Sequence, residues 1–208
     1  MSYQPGIIAL YGTGGVGKTT LMRKINEFLK TRHRFNTVIW VTVSKQASVR
    51  AAQEVIRNKL QIPDSMWQGR TEDERAREIL KILRTKRFVL LLDDVWQRLD
   101  LSQIGFCLPL IQNRSKVIIT TRSQKICTEM GVPLQRQFRV EVLALEEALA
   151  LFVEKVGENT LNSHPDIPHL SEKVAERYKG LPLALVTVGR AMADKNSPEA
   201  WDQAIQER

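Results

Sequence analysis

An α/β fold built on a parallel sheet flanked by helices, followed by a small helical subdomain, is what this sequence predicts, and three observations predict it. Short apolar runs alternate with segments of helical period through the first two-thirds of the chain. The stretch "GTGGVGKTT" lies between one such run and one such helix. After about residue 143 the apolar runs stop and helical segments follow one another. With 208 residues, 43% of them hydrophobic, the chain is long enough to bury a full core.

Five strands are expected, in order "GIIALY" (6–11), "TVIWVTV" (37–43), "RFVLLLD" (87–93), "KVIITT" (116–121) and "QFRVEV" (137–142). The third and fourth are nearly unbroken apolar runs, the pattern of central strands covered on both faces. After the first strand, Leu21, Ile25, Phe28 and Leu29 share a helical face; after the second, Val49, Ala52, Val55, Ile56 and Leu60 share another. A third helix has a readable start, because Thr71 and Glu74 stand in capping-box spacing before Ala76, Ile79, Leu80 and Leu83. Right-handed crossovers then lay helices over both faces of the sheet.

The helical region begins with Leu145, Leu149, Phe152 and Val156 at helical spacing, with Gly157 as the stop. A turn-rich link, "ENTLNSHPDIP", leads to a helix carrying Leu170, Val174 and Tyr178 that closes at Gly180. Pro182 opens the next helix, and Ser197 followed by Pro198 opens the last. The expected division is 1–142 and 143–208, with the second part incomplete at Arg208.

The net charge of +8 raises the question of an anionic partner. The basic residues are scattered singly or in small groups such as Arg32–His33–Arg34 and Lys86–Arg87, without an aromatic-interleaved stripe or zinc-finger spacing, so direct nucleic-acid binding is not expected. Cys107 and Cys127 are too few and too unrelated in context for a disulfide framework or a zinc cluster and read as reduced thiols. His33, His164 and His169 lack metal-ligand spacing and read as surface. No run of 18 apolar residues and no basic start before an apolar stretch occurs, so neither a transmembrane helix nor a signal peptide is expected, and the default is intracellular.

Gly12, Gly17, Lys18 and Thr19 match G-x-x-x-x-G-K-[ST] directly after a strand and directly before a helix, the P-loop context. Ordinary residue usage would produce these four positions by chance on the order of one per cent of the time. Glycines at 12, 14, 15 and 17 let backbone N–H groups around Val16 turn inward on a phosphate, and the helix N-terminus adds partial positive charge at the same point. Lys18 would bridge the terminal phosphates and the Thr19 hydroxyl would ligate magnesium, with Thr20 next in the loop. The alternative is a glycine-rich turn that holds nothing.

A phosphate cradle calls for a carboxylate on a neighbouring buried strand, and "FVLLLDDVW" supplies two. Asp93 is the expected magnesium residue; Asp94 is the candidate that orients or deprotonates a water. An aspartate pair after a strand can equally be a plain turn or helix cap. "TTRS" puts Thr120, Thr121 and Arg122 at the carboxyl edge of the sheet, where open α/β folds bind ligands, and Arg122 can point at phosphate or make a surface salt bridge.

Taken together, "GTGGVGKTT", "VIWVTVSK", "FVLLLDDVW", "SKVIITTRS", "LEEALALF" and "GLPLALVTVGRAMA" resemble, in order and spacing, the nucleotide-binding domain of plant NB-ARC disease-resistance proteins of the STAND P-loop NTPases. The resemblance spans nearly the whole chain and is to the coiled-coil class, because Trp96 follows Asp-Asp-Val where the TIR class usually has another Asp. It implies an ADP/ATP switch: ADP holds a closed state, exchange for ATP opens it, oligomerisation triggers defence signalling, and slow hydrolysis with Mg2+ resets it. It assigns Lys18, Thr19 and Thr20 to the phosphate loop, Asp93 and Asp94 to the kinase-2 motif, Arg122 to a sensor of the γ-phosphate, and Pro182 to the adenine. Pro182 also suits a helix start for local reasons alone.

The same resemblance implies partner domains: a coiled coil, a winged helix and leucine-rich repeats. Only eleven residues precede Gly12, so the segment that contributes adenine and ribose contacts in the family is expected to be missing. The winged-helix histidine that contacts ADP would lie beyond Arg208. A cytoplasmic protein is implied, with membrane association through an N-terminal region in some members. Two other function classes compete with the switch: a catalytic P-loop ATPase, including a nucleic-acid-linked one, and a scaffold without nucleotide. A fast NTPase commonly carries a Glu or Gln to position water and an arginine finger, whereas this sequence offers Asp94 and no convincing finger.

Overall fold

The structure, a computed structural model, describes residues 6–32, 34–43, 48–107 and 114–206. His33 and the Ser44–Lys45 end of "VIWVTVSK" lie outside the described residues. Strands β1 (Gly6–Tyr11), β2 (Thr37–Thr42), β3 (Phe88–Val95), β4 (Lys116–Thr121) and β5 (Gln137–Arg139) form one parallel sheet in the order β2-β3-β4-β1-β5. The apolar runs of β3 and β4 thus lie inside the sheet, as their composition requires, and β1 joins them there.

β2 stops one residue short of its expected end, and two strands end further from theirs. β5 keeps only three of the six residues in its run, because it pairs with β1 from Ala9–Gln137 to Tyr11–Arg139 and β1 ends at Tyr11. β3 continues past its apolar run through Asp93 and Asp94 to Val95. Between the pairs Leu92–Ile119 and Val95–Thr121, both aspartates stand opposite the single Thr120, so the strand bulges and twists there instead of stopping.

Strand period two divides the core into two layers. Ile7, Ala9, Ile39, Leu90, Leu92, Val117 and Ile119 face α2 (Val49–Leu60) and α3 (Glu72–Arg84), which contribute Ala52, Ile56, Leu60, Ile79 and Leu83. Val89, Leu91 and Ile118 face the other way, against Met22, Ile25 and Leu29 of α1 (Lys18–Thr31). The inward stripe of α1 corrects the expected one: Leu21 is 41% and Phe28 55% exposed, and fully buried Met22 sets the register with Ile25 and Leu29 three and seven positions on. Val55 on α2 is likewise exposed.

Polar groups fix the helices that the apolar pattern positions. Thr71 Oγ1 accepts the Glu74 N–H at 3.3 Å and a Glu74 carboxylate oxygen accepts the Thr71 N–H at 2.8 Å, completing the expected capping box on α3. Fully buried Gln53 on α2 donates through Nε2 to the carbonyls of Glu72 and Gln103, each at 2.8 Å, joining α2 to the start of α3 and to a later loop. After β4, the short α4 (Gln124–Glu129) buries Cys127, whose thiol is pushed up by that burial. Cys107 and Cys127 are both free thiols.

The chain divides into two compact units, Met1–Gly12 with Lys18–Arg139 and Thr13–Gly17 with Val140–Arg208. The second is helical: α5 (Leu145–Val156), α6 (Glu158–Leu161), α7 (Ile167–Arg177), α8 (Pro182–Met192) and α9 (Pro198–Gln206). The four-residue α6 forms inside the expected turn-rich link, and Leu145 is exposed where the periodicity placed it inward. Phe152, Val156, Ile167, Val174, Leu185 and Trp201 build its core, with the Phe152 and Trp201 rings edge to face at 6.3 Å. Gly157 ends α5 at φ 87°, and Gly180 at φ 71° lets its carbonyl accept the Leu143 N–H at 2.9 Å; a Cβ at Gly180 would lie 2.1 Å from the Leu143 oxygen. Among the described residues no helix is long and apolar enough to cross a membrane.

Fully buried Phe88 opens β3 and meets Phe106 edge to face at 5.2 Å. Phe88→Ala is expected to destabilise the chain by about 3–5 kcal/mol in urea unfolding monitored by circular dichroism.

Candidate functional site

The C-terminal ends of parallel strands collect at one edge of the sheet, and the candidate residues of the first unit stand there. β1 runs into Gly12, whose N–H donates to Thr121 O at 3.3 Å. The loop then turns: Gly15 and Gly17 have φ 79° and 100°, backbone that glycine adopts without steric penalty. Within it Val16 is buried and donates its N–H to Thr13 O at 3.4 Å, while Gly14 stays half-buried. Thr20 is exposed on the first turn of α1.

Lys18 is the first residue of α1, yet it is only 7% exposed, and its ammonium donates to Gly12 O at 2.7 Å. Burial holds its pKa below the ordinary lysine value, and the Arg122 charge acts in the same direction, while Asp94 and Asp93 pull it back. The next residue points into the sheet. Thr19 Oγ1 donates to Asp93 Oδ1 at 3.1 Å, and the same carboxylate oxygen accepts from Thr120 Oγ1 at 2.6 Å.

Thr120 does more than reach Asp93. Its hydroxyl oxygen accepts the Asp94 N–H at 2.8 Å, so one side chain occupies the bulge where two residues oppose one. Asp94 has φ 59°, a left-handed conformation that aspartate tolerates better than most residues. Its carboxylate has two partners: Trp96 Nε1 donates to Oδ2 at 2.8 Å and Arg122 Nε lies 3.8 Å from Oδ1. The Arg122 guanidinium also sits over the Trp96 ring, 4.3 Å from its centroid.

These positions bring Gly12, Lys18, Thr19, Asp93, Asp94 and Arg122 to one end of the sheet. Pro182 stands in the helical unit as the first residue of α8, where its missing N–H costs nothing. Its neighbour Leu183 donates its N–H to Gly15 O at 3.1 Å, and a Cβ at Gly15 would come within 2.9 Å of the Leu183 Cβ.

The donor set fits a hard divalent cation. Thr19 and Asp93 offer two oxygens 3.1 Å apart, and Asp93 is 4% exposed with hydroxyls as its hydrogen-bond partners, so the pair presents oxygen ligands at one point. A cavity of about 390 Å³ opens beside it, bordered also by Arg23, Asn26, Trp40 and Thr42. Among the described residues no cluster of three or more His, Cys, Asp or Glu is arranged to hold a metal by itself. Magnesium here would rely on phosphate and water oxygens for its remaining positions.

Two residues of this site carry no role in the sequence reading. Thr120 is visible there only as an edge residue, and its link between the aspartates depends on the β3–β4 register. Trp96 is visible only as a feature of the resemblance, and its contacts depend on the backbone reversal at Asp94.

A parallel sheet with helices on both faces and a glycine loop between β1 and α1 is the architecture of the P-loop NTPases. The chain belongs to the NB-ARC family, a nucleotide-binding class within them: the NB-ARC domain profile matches residues 1–162. "Probable disease resistance protein At1g52660" of Arabidopsis thaliana is 46% identical over 202 residues, 96% of this chain and 53% of the relative. "Disease resistance protein UNI" of the same plant is 44% identical over 201 residues, 96% of this chain and 22% of the relative. The chain therefore spans about half the length of one relative and about a fifth of the other. Among solved structures, a STAND protein with a tetratricopeptide repeat sensor from Pyrococcus horikoshii matches with a TM-score of 0.57 at 21% identity, covering 97% of this chain and 30% of that one. Cdc6p from Pyrobaculum aerophilum matches with a TM-score of 0.67 at 17% identity, covering 95% and 56%. At these identities the two likenesses show the fold.

Thr120→Val keeps the shape of the side chain and removes both hydrogen bonds at the bulge. It is expected to cost about 1–3 kcal/mol in denaturant unfolding, whereas Thr120→Ser should stay close to wild type.

Proposed function

We propose that the chain is the nucleotide-dependent switch of a plant disease-resistance protein of the coiled-coil class, holding ADP at rest and ATP when active. The observation that carries this reading is the 3.1 Å hydrogen bond from Thr19 to Asp93, which joins the glycine-loop helix to the acidic strand 74 positions away. A magnesium ion bound there would draw negative charge off the phosphates. Thr19 and Asp93 would supply oxygens to it, and Lys18 would leave the Gly12 carbonyl for the terminal phosphates.

The backbone N–H groups of Gly14, Gly15, Val16 and Gly17 are the candidates for wrapping the phosphates, with Gly12 and Thr20 at the two ends of the loop. Arg122 is proposed to sense the γ-phosphate and Pro182 to contact adenine. Slow turnover is supported by the placement of Asp94: one carboxylate oxygen already accepts from Trp96 and the other lies beside Arg122, so neither is left open to an attacking water. A nucleotide that is held far longer than it is hydrolysed acts as a state marker. In the full-length receptor that state would govern contacts with the coiled coil, winged helix and leucine-rich repeats, and oligomerisation in the cytoplasm.

Denaturing the chain purified without added nucleotide, and separating what it releases by ion exchange, is expected to give close to one ADP per chain. An empty protein that also fails to bind added Mg-ATP would overturn the reading. With nucleotide at about 100 times its Kd, the melting temperature should rise by roughly 5–10 °C, and Lys18→Ala should abolish that rise. Turnover of Mg-ATP should stay well below about one per second, the lower end of the kinase range; a faster rate would make the chain a catalytic ATPase.

A further inference from the structure

We propose that Trp96 is a positioning residue that holds Arg122 and Asp94 as one unit, so that the guanidinium stands ready for the terminal phosphate of a nucleoside triphosphate. This rests on the nucleotide reading above and adds to it a part for a side chain outside the phosphate loop.

The face and the edge of the indole have separate tasks. The ring supports Arg122 at 4.3 Å, a contact that needs an aromatic surface and no hydrogen bond. The ring N–H holds Asp94 Oδ2 at 2.8 Å, a contact that needs a donor and no ring. Arg122 Nε, 3.8 Å from Asp94 Oδ1, closes the triangle. An exposed arginine has many rotamers, and ordering it on arrival of a ligand has an entropic cost. Arg122 has a half-exposed side chain, and here the indole and the carboxylate restrict it before any ligand arrives.

The backbone puts this restricted guanidinium at the right end of the sheet. Arg122 directly follows Thr121, whose carbonyl accepts the Gly12 N–H, and the Gly12 carbonyl in turn accepts the Lys18 ammonium. One residue, Gly12, therefore connects the roots of both cations through its N–H and its carbonyl. An arginine anchored beside that residue can discriminate a third phosphate from its absence, while Lys18 and the loop amides serve di- and triphosphate alike. The Trp96 N–H has a second effect: it fixes the orientation of the Asp94 carboxylate.

The two tasks separate by substitution. Trp96→Phe keeps an aromatic surface and loses the donor; Trp96→Leu loses both. The readout is the ratio of the Kd for Mg-ADP to the Kd for a non-hydrolysable Mg-ATP analogue, measured by calorimetry on the 208-residue chain, with a thermal melt to confirm folding. Trp96→Leu is expected to lower that ratio by about tenfold, while Trp96→Phe stays within about twofold of wild type. On an Arg122→Ala background, Trp96→Leu should change the ratio no further, since the residue it positions is gone. The proposal is overturned if Trp96→Leu leaves the ratio unchanged or weakens both nucleotides equally, or if Trp96→Phe falls as far as Trp96→Leu. Lys18→Ala separates the two readings. If it binds both nucleotides like wild type, the nucleotide reading falls and this one with it; if it loses both while Trp96→Leu keeps the ratio, only the positioning role falls.

Discussion

A carboxylate buried at the end of a central strand has to be compensated, and the compensation of Asp93 organises this end of the sheet. Two hydroxyls donate to one of its oxygens, Thr19 from the glycine-loop helix and Thr120 from the neighbouring strand. Neither hydroxyl brings charge. The arrangement satisfies one oxygen of the carboxylate with two neutral donors at the C-terminal edge of the sheet, where the Lys18 cation also acts on it. Because Thr120 also accepts the Asp94 amide, the bond that serves Asp93 sets the bulge, and the bulge sets where Asp94, Trp96 and Arg122 stand.

How much of this the sequence discloses depends on whether the cause is local. The order of strands and helices, the capping box at Thr71 and Glu74 and the glycine stop at Gly157 are legible because each rests on residues a few positions apart. Lengths that depend on a partner are not: β5 ends where β1 ends, and β3 runs through two aspartates because Thr120 supplies a hydrogen bond the ladder lacks. Facial assignment by period fails by one step at α1, where Leu21 and Met22 compete for the inward stripe and the sheet selects Met22. At the site, the phosphate-loop pattern announces Lys18 and Thr19, whereas the contacts of Trp96 come from a strand register and a left-handed backbone that no short motif encodes.

The two aspartates illustrate how adjacent identical residues acquire different chemistry. Asp93 sits in the bulged ladder, nearly buried, with neutral donors around it. Asp94, one residue on, has a positive φ that swings its side chain out of the alternation, toward an indole N–H and a guanidinium. One carboxylate oxygen of the first takes two hydroxyl donors; the second has one oxygen on an indole N–H and the other beside a guanidinium. Adjacent in sequence and given different expected roles there, the two aspartates also have different partners in the fold.

The ammonium of Lys18 rests on the Gly12 carbonyl behind a nearly closed surface. Water that would surround a free lysine has therefore been stripped away during folding, at the expense of the chain's own stability. On the nucleotide reading proposed above, an incoming phosphate would meet a cation already largely dehydrated and would replace one peptide oxygen with its own. Part of the affinity for a phosphate would in this way be stored in the folded chain, as a lysine drier than one on an open surface.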